Sequence, residues 1–97
     1  MTKIHITASE KILLVSILQG DFQVIVFGSR VMGKNKKFSD LDICLKGKGP
    51  ISDVLIGELR EKLQESNLPF IVDLSDYFSL PGFLKKEVDE QGVPLEM

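Results

Sequence analysis

Three aspartates in this 97-residue chain stand where neighbouring strands could bring them together. Asp40 and Asp42 open the apolar segment 41–45, and on a strand their side chains would share one face, roughly 6–7 Å apart along the chain. Asp73 interrupts a second apolar segment, 70–74. If the two segments are adjacent strands, the three carboxylates converge, and cations between them would relieve their repulsion. Magnesium prefers such oxygen ligands, and the cluster suits two-metal phosphoryl chemistry with ions about 3.5–4 Å apart.

Each acid also has a plain structural interpretation. An Asp-x-Asp pair is common in turns and at solvated strand ends, so the Asp40–Asp42 spacing alone does not specify a metal. Asp73 could be an exposed residue at a strand end, because an isolated charge is costly to bury without a partner. In the two-metal interpretation, Asp73 is instead placed to accept the proton of an acceptor hydroxyl.

A glycine–serine pair follows the apolar segment 24–27. A strand that ends in Gly28-Ser29 and enters a helical turn presents free backbone N–H groups, which attract and hydrogen-bond a phosphate. Gly28 permits an unusual φ or a close approach, and the Ser29 hydroxyl adds a donor. The pair alone could simply separate two elements. Beside the acids, it predicts a site for a magnesium-bound nucleoside triphosphate.

A Walker A loop is the competing pattern at the same place, because Gly28, Gly33 and Lys34 satisfy Gly-x-x-x-x-Gly-Lys. Asn35 follows, where magnesium binding requires serine or threonine. The chain then runs into another strand at residue 41 without the long helix that a Walker loop caps. We therefore reject this interpretation.

Hydrophobic periodicity and capping signals predict the elements that must position these residues. The predicted order is helix 8–18 with a Thr7–Glu10 capping box, strand 24–27, strand 41–45, helix 53–64 capped by Ser52, strand 70–74, helix 80–90 capped by Ser79, and an edge strand in the tail 93–97. In the last helix we expect Phe83, Leu84 and Val88 to face inward. This order indicates the α/β class, with a small mixed β-sheet packed against helices.

Composition excludes several classes of protein. The net charge of −2 is not the basic footprint of a dedicated nucleic-acid-binding surface. The apolar runs are far shorter than the roughly 20 residues that cross a bilayer, and no signal-peptide core begins the chain. The single cysteine, Cys44, cannot form an intrachain disulfide, so we expect it to pack as a small hydrophobe in a cytoplasmic protein. The length predicts one domain, 1–97.

Taken together, the motifs resemble the minimal nucleotidyltransferases of the DNA polymerase β superfamily. The matching residues are Phe27-Gly28-Ser29-Arg30, Gly33, Ser39-Asp40-Leu41-Asp42 and Val72-Asp73-Leu74. The resemblance implies a polymerase β palm-like fold and transfer of a nucleoside monophosphate, usually AMP from ATP, with a two-ion Mg²⁺ site. It implies metal binding and catalysis by Asp40, Asp42 and Asp73, and nucleotide binding by Gly28, Ser29, Arg30 and Ser39.

The resemblance also bears on partners. Many small members of the superfamily look like antitoxins paired with helical HEPN ribonuclease toxins, and some adenylylate a toxin tyrosine. Because the chain lacks the added helical domain of antibiotic nucleotidyltransferases, we expect a HEPN-type partner protein as acceptor. The alternative is a non-catalytic subunit that neutralises its partner by occlusion. Homo- and hetero-oligomers are both compatible with the sequence, and the lysine-rich loop 34–37 either steers the triphosphate or is only solvated.

Overall fold

A four-stranded mixed sheet carries the fold in the computed structural model, which describes residues 4, 6–28, 31 and 40–96. The strands are β1 (Gln23–Phe27), β2 (Leu41–Lys46), β3 (Val72–Asp76) and β4 (Val93–Pro94), and the helices are α1 (Ala8–Ile17), α2 (Asp53–Gln64) and α3 (Gly82–Gln91), with a 3-10 turn at Tyr77–Ser79. Within the described ranges, no helix is long and apolar enough to cross a membrane.

The strand order is β3-β2-β1-β4. β1 pairs antiparallel with β2 and with β4, whereas β2 and β3 run parallel. Parallel neighbours need a crossover connection, which α2 supplies here. Arg60 ties this helix to the sheet, because its Nη2 donates a 2.8 Å hydrogen bond to the carbonyl oxygen of Leu74. The predicted edge strand in the tail is confirmed by β4.

Helices cover both faces of the sheet, as the continuously apolar segment 24–27 predicts. One face packs with α1 and α2 around a large core, whose buried members are Leu14, Leu18, Val26, Val31, Leu41, Ile43, Leu45, Ile56, Leu59, Leu63, Leu74 and Leu95. The second face packs with α3 and the 3-10 turn around a smaller core of Ile25, Phe27, Cys44, Tyr77 and Val88. Alternation along each strand separates the two sets.

The predicted helix starts hold where the local capping chemistry is complete. The Thr7 amide donates to the Glu10 carboxylate at 2.8 Å, and the Glu10 amide donates to the Thr7 hydroxyl at 3.1 Å. Ser52 caps α2 by accepting a 3.2 Å hydrogen bond from the Leu55 amide. The reciprocal Thr7–Glu10 bonds and the single Ser52 bond satisfy amides that have no partner within the helix.

The segment from residue 70 to residue 83 differs from the prediction. The strand starts at Val72 and extends to Asp76, because the buried Asp76 carboxylate accepts hydrogen bonds from the Ile51 and Phe78 amides at 3.2 and 3.3 Å. Ser79 belongs to the 3-10 turn, and its hydroxyl donates to Asp76 at 3.3 Å.

The last helix is correspondingly later than predicted and is turned differently. It begins at Gly82 with Pro81 as its N-cap residue, so the prediction that Ser79 caps it is wrong. Phe83 is also not inward, since 74% of it is exposed. Leu84 and Val88 form the stripe that faces the sheet, and the 100° step between successive helical residues turns Phe83 away from it.

Candidate active site

The predicted acids meet at one end of the sheet. In the parallel pairing of β2 with β3, Asp42 lies opposite Asp73. Their side chains share the second face, because Leu41, Ile43 and Leu74 occupy the first. Asp42 is half-buried and Asp73 is exposed. The segments that carry Asp42 and Asp73 are thus adjacent strands, which is the condition under which the acids could converge.

Asp40 lies just before β2 and is exposed. It is close enough to raise the pKa of Asp42, together with Asp73. All three acids therefore belong to the same end of the sheet, although Asp40 stands outside the strand pairing that aligns the other two.

Gly28 directly follows β1 and lies against the Asp42 carboxylate. Its φ is +82°, a left-handed conformation that side chains disfavour. A Cβ on this residue would collide with the Asp42 oxygen Oδ2. The Gly28 carbonyl oxygen accepts a 3.1 Å hydrogen bond from the Val31 amide, so the chain turns at this point. Gly28 thus has the left-handed conformation that lets a backbone turn approach a phosphate closely.

The charge of this end of the sheet is unbalanced. Burial raises the pKa of Asp42 from 3.8 to about 6, with further increases from the negative charges of Asp73, Asp40 and Glu87. Within the described part of the chain, no lysine or arginine forms an ion pair with Asp42 or Asp73. A bound cation would relieve this repulsion.

The donor chemistry fits Mg²⁺, because the acids offer carboxylate oxygens and no lysine or arginine among the described residues pairs with Asp42 or Asp73. Among the described residues, however, no group of three or more histidine, cysteine, aspartate or glutamate side chains is arranged to hold a metal ion. The role of Asp40, Asp42 and Asp73 as metal ligands therefore stays a prediction.

Four further predictions concern the phosphate side of the site. Ser29, Arg30 and Ser39 lie outside the described residues, as does the lysine-rich loop 34–37. Gly28 is the predicted nucleotide-binding residue whose position the structure describes.

Glu87, on α3, is a neighbour of the acids that no motif in the sequence indicates. It is half-buried and contributes to the raised pKa of Asp42. The available signal was its position, since Glu87 directly precedes the inward-facing Val88 on the predicted helix. Whether Glu87 lies near Asp42 depends on how α3 packs on the sheet, and the sequence does not contain that information.

At the opposite end of the same face, α3 is fixed to the sheet by a polar cluster. The Tyr77 hydroxyl donates to both carboxylate oxygens of Asp89, at 2.9 and 3.0 Å. The hydrogen bond to Asp89 raises the pKa of Tyr77. Lys46 completes the cluster, with its Nζ 3.9 Å from Asp89 Oδ1 and 4.4 Å from the Tyr77 ring centroid.

Cys44 lies between the acids and this cluster on β2. It is fully buried, and burial raises the pKa of its thiol to about 11. Both features are those of a packed apolar side chain and not of a nucleophile, as predicted from the sequence.

Comparison with known proteins identifies the fold and the family. Residues 10–96 match the profile of the family described as "Polymerase beta, Nucleotidyltransferase". The chain belongs to this nucleotidyltransferase family. The match spans both strands that carry the paired acids and the glycine turn, and it confirms the resemblance on which the predicted fold was based.

One relative of this nucleotidyltransferase is the probable protein adenylyltransferase MntA of Haemophilus influenzae. The two are 40% identical over 78 residues, which are 77% of this chain and 68% of the relative.

Several solved structures to which the chain is similar are toxin–antitoxin complexes. A chain of a toxin–antitoxin structure with AMP-PNP superposes with a TM-score of 0.71 and 30% identity, over 93% of this chain and 73% of that one. A second is a complex of tri-AMPylated Shewanella oneidensis HEPN toxin with MNT antitoxin, with a TM-score of 0.67 and 25% identity, over 91% of this chain and 70% of the other. The predicted palm-like α/β fold is thereby confirmed.

Proposed function

We propose that this nucleotidyltransferase is a Mg²⁺-dependent protein adenylyltransferase that transfers AMP from ATP to a hydroxyl of a HEPN-type partner, and so acts as its antitoxin. The observation that carries the proposal is the pairing of Asp42 with Asp73 across β2 and β3, with Gly28 against the Asp42 carboxylate. Similarity to MntA and to MNT–HEPN complexes supports the choice of acceptor.

The proposed roles of the residues are phosphate binding on one side of the site and metal binding on the other. Gly28, with Ser29, Arg30 and Ser39, binds the triphosphate, and its left-handed turn lets the backbone approach the phosphates. Asp40, Asp42 and Asp73 would hold Mg²⁺. When bound, Mg²⁺ supplies charge neutralisation at the triphosphate and lowers the pKa of the acceptor hydroxyl.

The transfer is an in-line displacement at the α-phosphorus. The acceptor oxygen forms a bond to the α-phosphorus while the bond from that phosphorus to the bridging oxygen of the pyrophosphate breaks. Asp73 is exposed at the edge strand β3, where an acceptor can reach it, and it takes the hydroxyl proton. Pyrophosphate leaves with the electron pair of the broken bond.

The test is incubation of the HEPN-type partner with this chain, Mg²⁺ and ATP labelled at the α-phosphate. We expect wild type to label the partner. Asp42→Asn should lower the labelling rate by more than about 100-fold, because an acid that coordinates the metal stabilises the transition state by several kcal/mol. Glu61→Gln, at an exposed acid on α2, is the matched control and should label normally.

Labelling that is absent with wild type, or equal with Asp42→Asn, contradicts the proposal. Growth rescue of toxin-expressing cells then distinguishes AMP transfer from the alternative, neutralisation by occlusion. If Asp40→Asn and Asp42→Asn abolish labelling but still neutralise the toxin, the chain acts by occlusion and not by AMP transfer.

A further inference from the structure

The helix α3 crosses the same face of the sheet that carries the paired acids. Val88 is buried against this face with Ile25, Phe27 and Cys44, and Leu84 packs beside it. The stripe formed by Leu84 and Val88 therefore points at the sheet. The two flanks of the helix, one on each side of this stripe, can therefore be placed by the residues that each one faces.

One flank is anchored at the far end from the acids. Asp89 accepts hydrogen bonds from Tyr77 and lies 3.9 Å from Lys46, and the Nζ of Lys85 is 5.8 Å from the Tyr77 ring centroid. Tyr77 directly follows β3, and Lys46 ends β2. Because these strands are parallel, both residues mark the same end of the sheet.

The other flank faces the acids. At 100° per residue, Phe83 and Glu87 lie on the side of the Leu84–Val88 stripe opposite to Asp89. Asp42 is four residues before Lys46 on the same face of β2, roughly 13 Å back along the strand. The flank that carries Phe83 and Glu87 is thus turned toward the Asp42 end. The effect of Glu87 on the pKa of Asp42 agrees with this placement.

The chemistry of this flank is that of a docking surface. Phe83 is 74% exposed, although an aromatic side chain gains most from burial. Glu87 is half-buried, and within the described ranges no lysine or arginine forms an ion pair with it. A partner that offers an apolar side chain to Phe83 and a cationic side chain to Glu87 would complement both residues.

We propose that the Phe83–Glu87 flank of α3 docks the acceptor segment of the partner protein, with a lysine or arginine beside the acceptor hydroxyl pairing with Glu87. The inference rests on the proposed function, since the flank borders the proposed site of AMP transfer. A polypeptide suits the flank better than a nucleotide does, because the carboxylate of Glu87 would repel the triphosphate.

The experiment measures AMP transfer to the HEPN-type partner by wild type, Phe83→Ala, Glu87→Gln and Glu87→Lys. We expect KM for the partner to rise about tenfold in the first two variants and more in Glu87→Lys, with KM for ATP within about twofold of wild type. The salt dependence of KM for the partner should weaken in Glu87→Gln, because one cationic contact is lost.

Matched controls lie on α2. Val54 is 72% exposed and Glu61 is exposed, so Val54→Ala and Glu61→Gln repeat the two truncations away from α3 and should leave both KM values unchanged. Unchanged KM for the partner in all three α3 variants overturns the inference. So does a rise confined to KM for ATP, which would assign the flank to the nucleotide.

Failure of the proposed function is a distinct result, because wild type would then transfer no AMP. Calorimetric titration of the same partner with the same variants still decides whether the flank docks it. An affinity at least about tenfold weaker for Phe83→Ala and Glu87→Gln supports docking, and equal affinity overturns it. Circular dichroism of each variant verifies that α3 is retained.

Discussion

The carboxylate of Asp42 occupies the space into which a side chain on Gly28 would project. Asp42 is on β2 and Gly28 directly follows the neighbouring strand β1, and the glycine has a φ of +82°. A Cβ at this position would therefore be strained and would have to displace the Asp42 carboxylate. This contact joins the proposed phosphate side of the site to its proposed metal side. Replacement of Gly28 should therefore disturb both sides of the proposed site.

Gly28→Ala should reduce AMP transfer by more than about 100-fold, because the Cβ displaces a carboxylate whose position matters within about 0.5 Å. The variant should also lose about 1–2 kcal/mol of stability from the left-handed backbone conformation. Initial rates of transfer and chemical denaturation measure the two effects.

Gly57→Ala is the control for that substitution. Gly57 lies inside α2 with open space where a Cβ would project, so alanine should raise stability by about 0.5–1 kcal/mol and leave transfer unchanged. Wild-type activity in Gly28→Ala would show that the Asp42 carboxylate need not be held at this glycine.

The raised pKa of Asp42 makes the stability of the metal-free protein depend on pH. The pKa rises from 3.8 to about 6 on folding, so the folded state holds its proton more tightly than the unfolded state. The resulting stabilisation is complete below about pH 4 and is lost as the pH rises through 6. Asp42→Asn removes this loss, so its Tm relative to wild type should increase from pH 4 to pH 7 in the presence of a chelator.

Glu61→Gln, which removes one exposed negative charge from α2, corrects for the change in net charge. If, after this correction, the Tm difference between Asp42→Asn and wild type is the same at pH 4 and pH 7, folding does not disfavour the ionised form of Asp42.

Magnesium should reverse the order of the Tm values of wild type and Asp42→Asn. Binding to the folded state alone raises stability by about 2.7 kcal/mol at 100 times the dissociation constant. At pH 7.5 we therefore expect Mg²⁺ with a non-hydrolysable ATP analogue to raise the Tm of wild type, and to leave Asp42→Asn and Asp73→Asn nearly unchanged. Thermal scans over a magnesium titration give the result. An equal rise in all three proteins would place the cation elsewhere.

The thiol of Cys44 should resist alkylation in the folded protein. It is fully buried, and burial raises its pKa to about 11, so both access and the thiolate fraction are low at pH 8. Mass spectrometry after iodoacetamide treatment should find the native thiol unmodified under conditions that label it completely in guanidinium chloride. Rapid labelling without denaturant would mean that α3 leaves the sheet readily.

The local signals in the sequence determined a large part of this molecule. The Thr7–Glu10 capping box and the Ser52 cap start helices where they were predicted, since each depends on hydrogen bonds between residues three apart. The segment 24–27 had to be covered on both faces, because it has no polar alternation. The family was equally readable, since its motif lies in the order of a glycine turn and an Asp-x-Asp pair.

Tertiary structure decided what joins these pieces. The parallel pairing that sets Asp73 opposite Asp42 depends on where α2 packs after its crossover, and no residue near Asp73 in sequence specifies that register. The outward turn of Phe83 likewise depends on the docking of α3 through Leu84 and Val88.

The same distinction between local and tertiary information applies to Gly28. The sequence by itself determined that Gly28 could turn the chain, since its missing side chain is a local property. Only the folded sheet decided that Asp42 fills the space beside it, because contacts between β1 and β2 are set by cross-strand register and by packing on both faces.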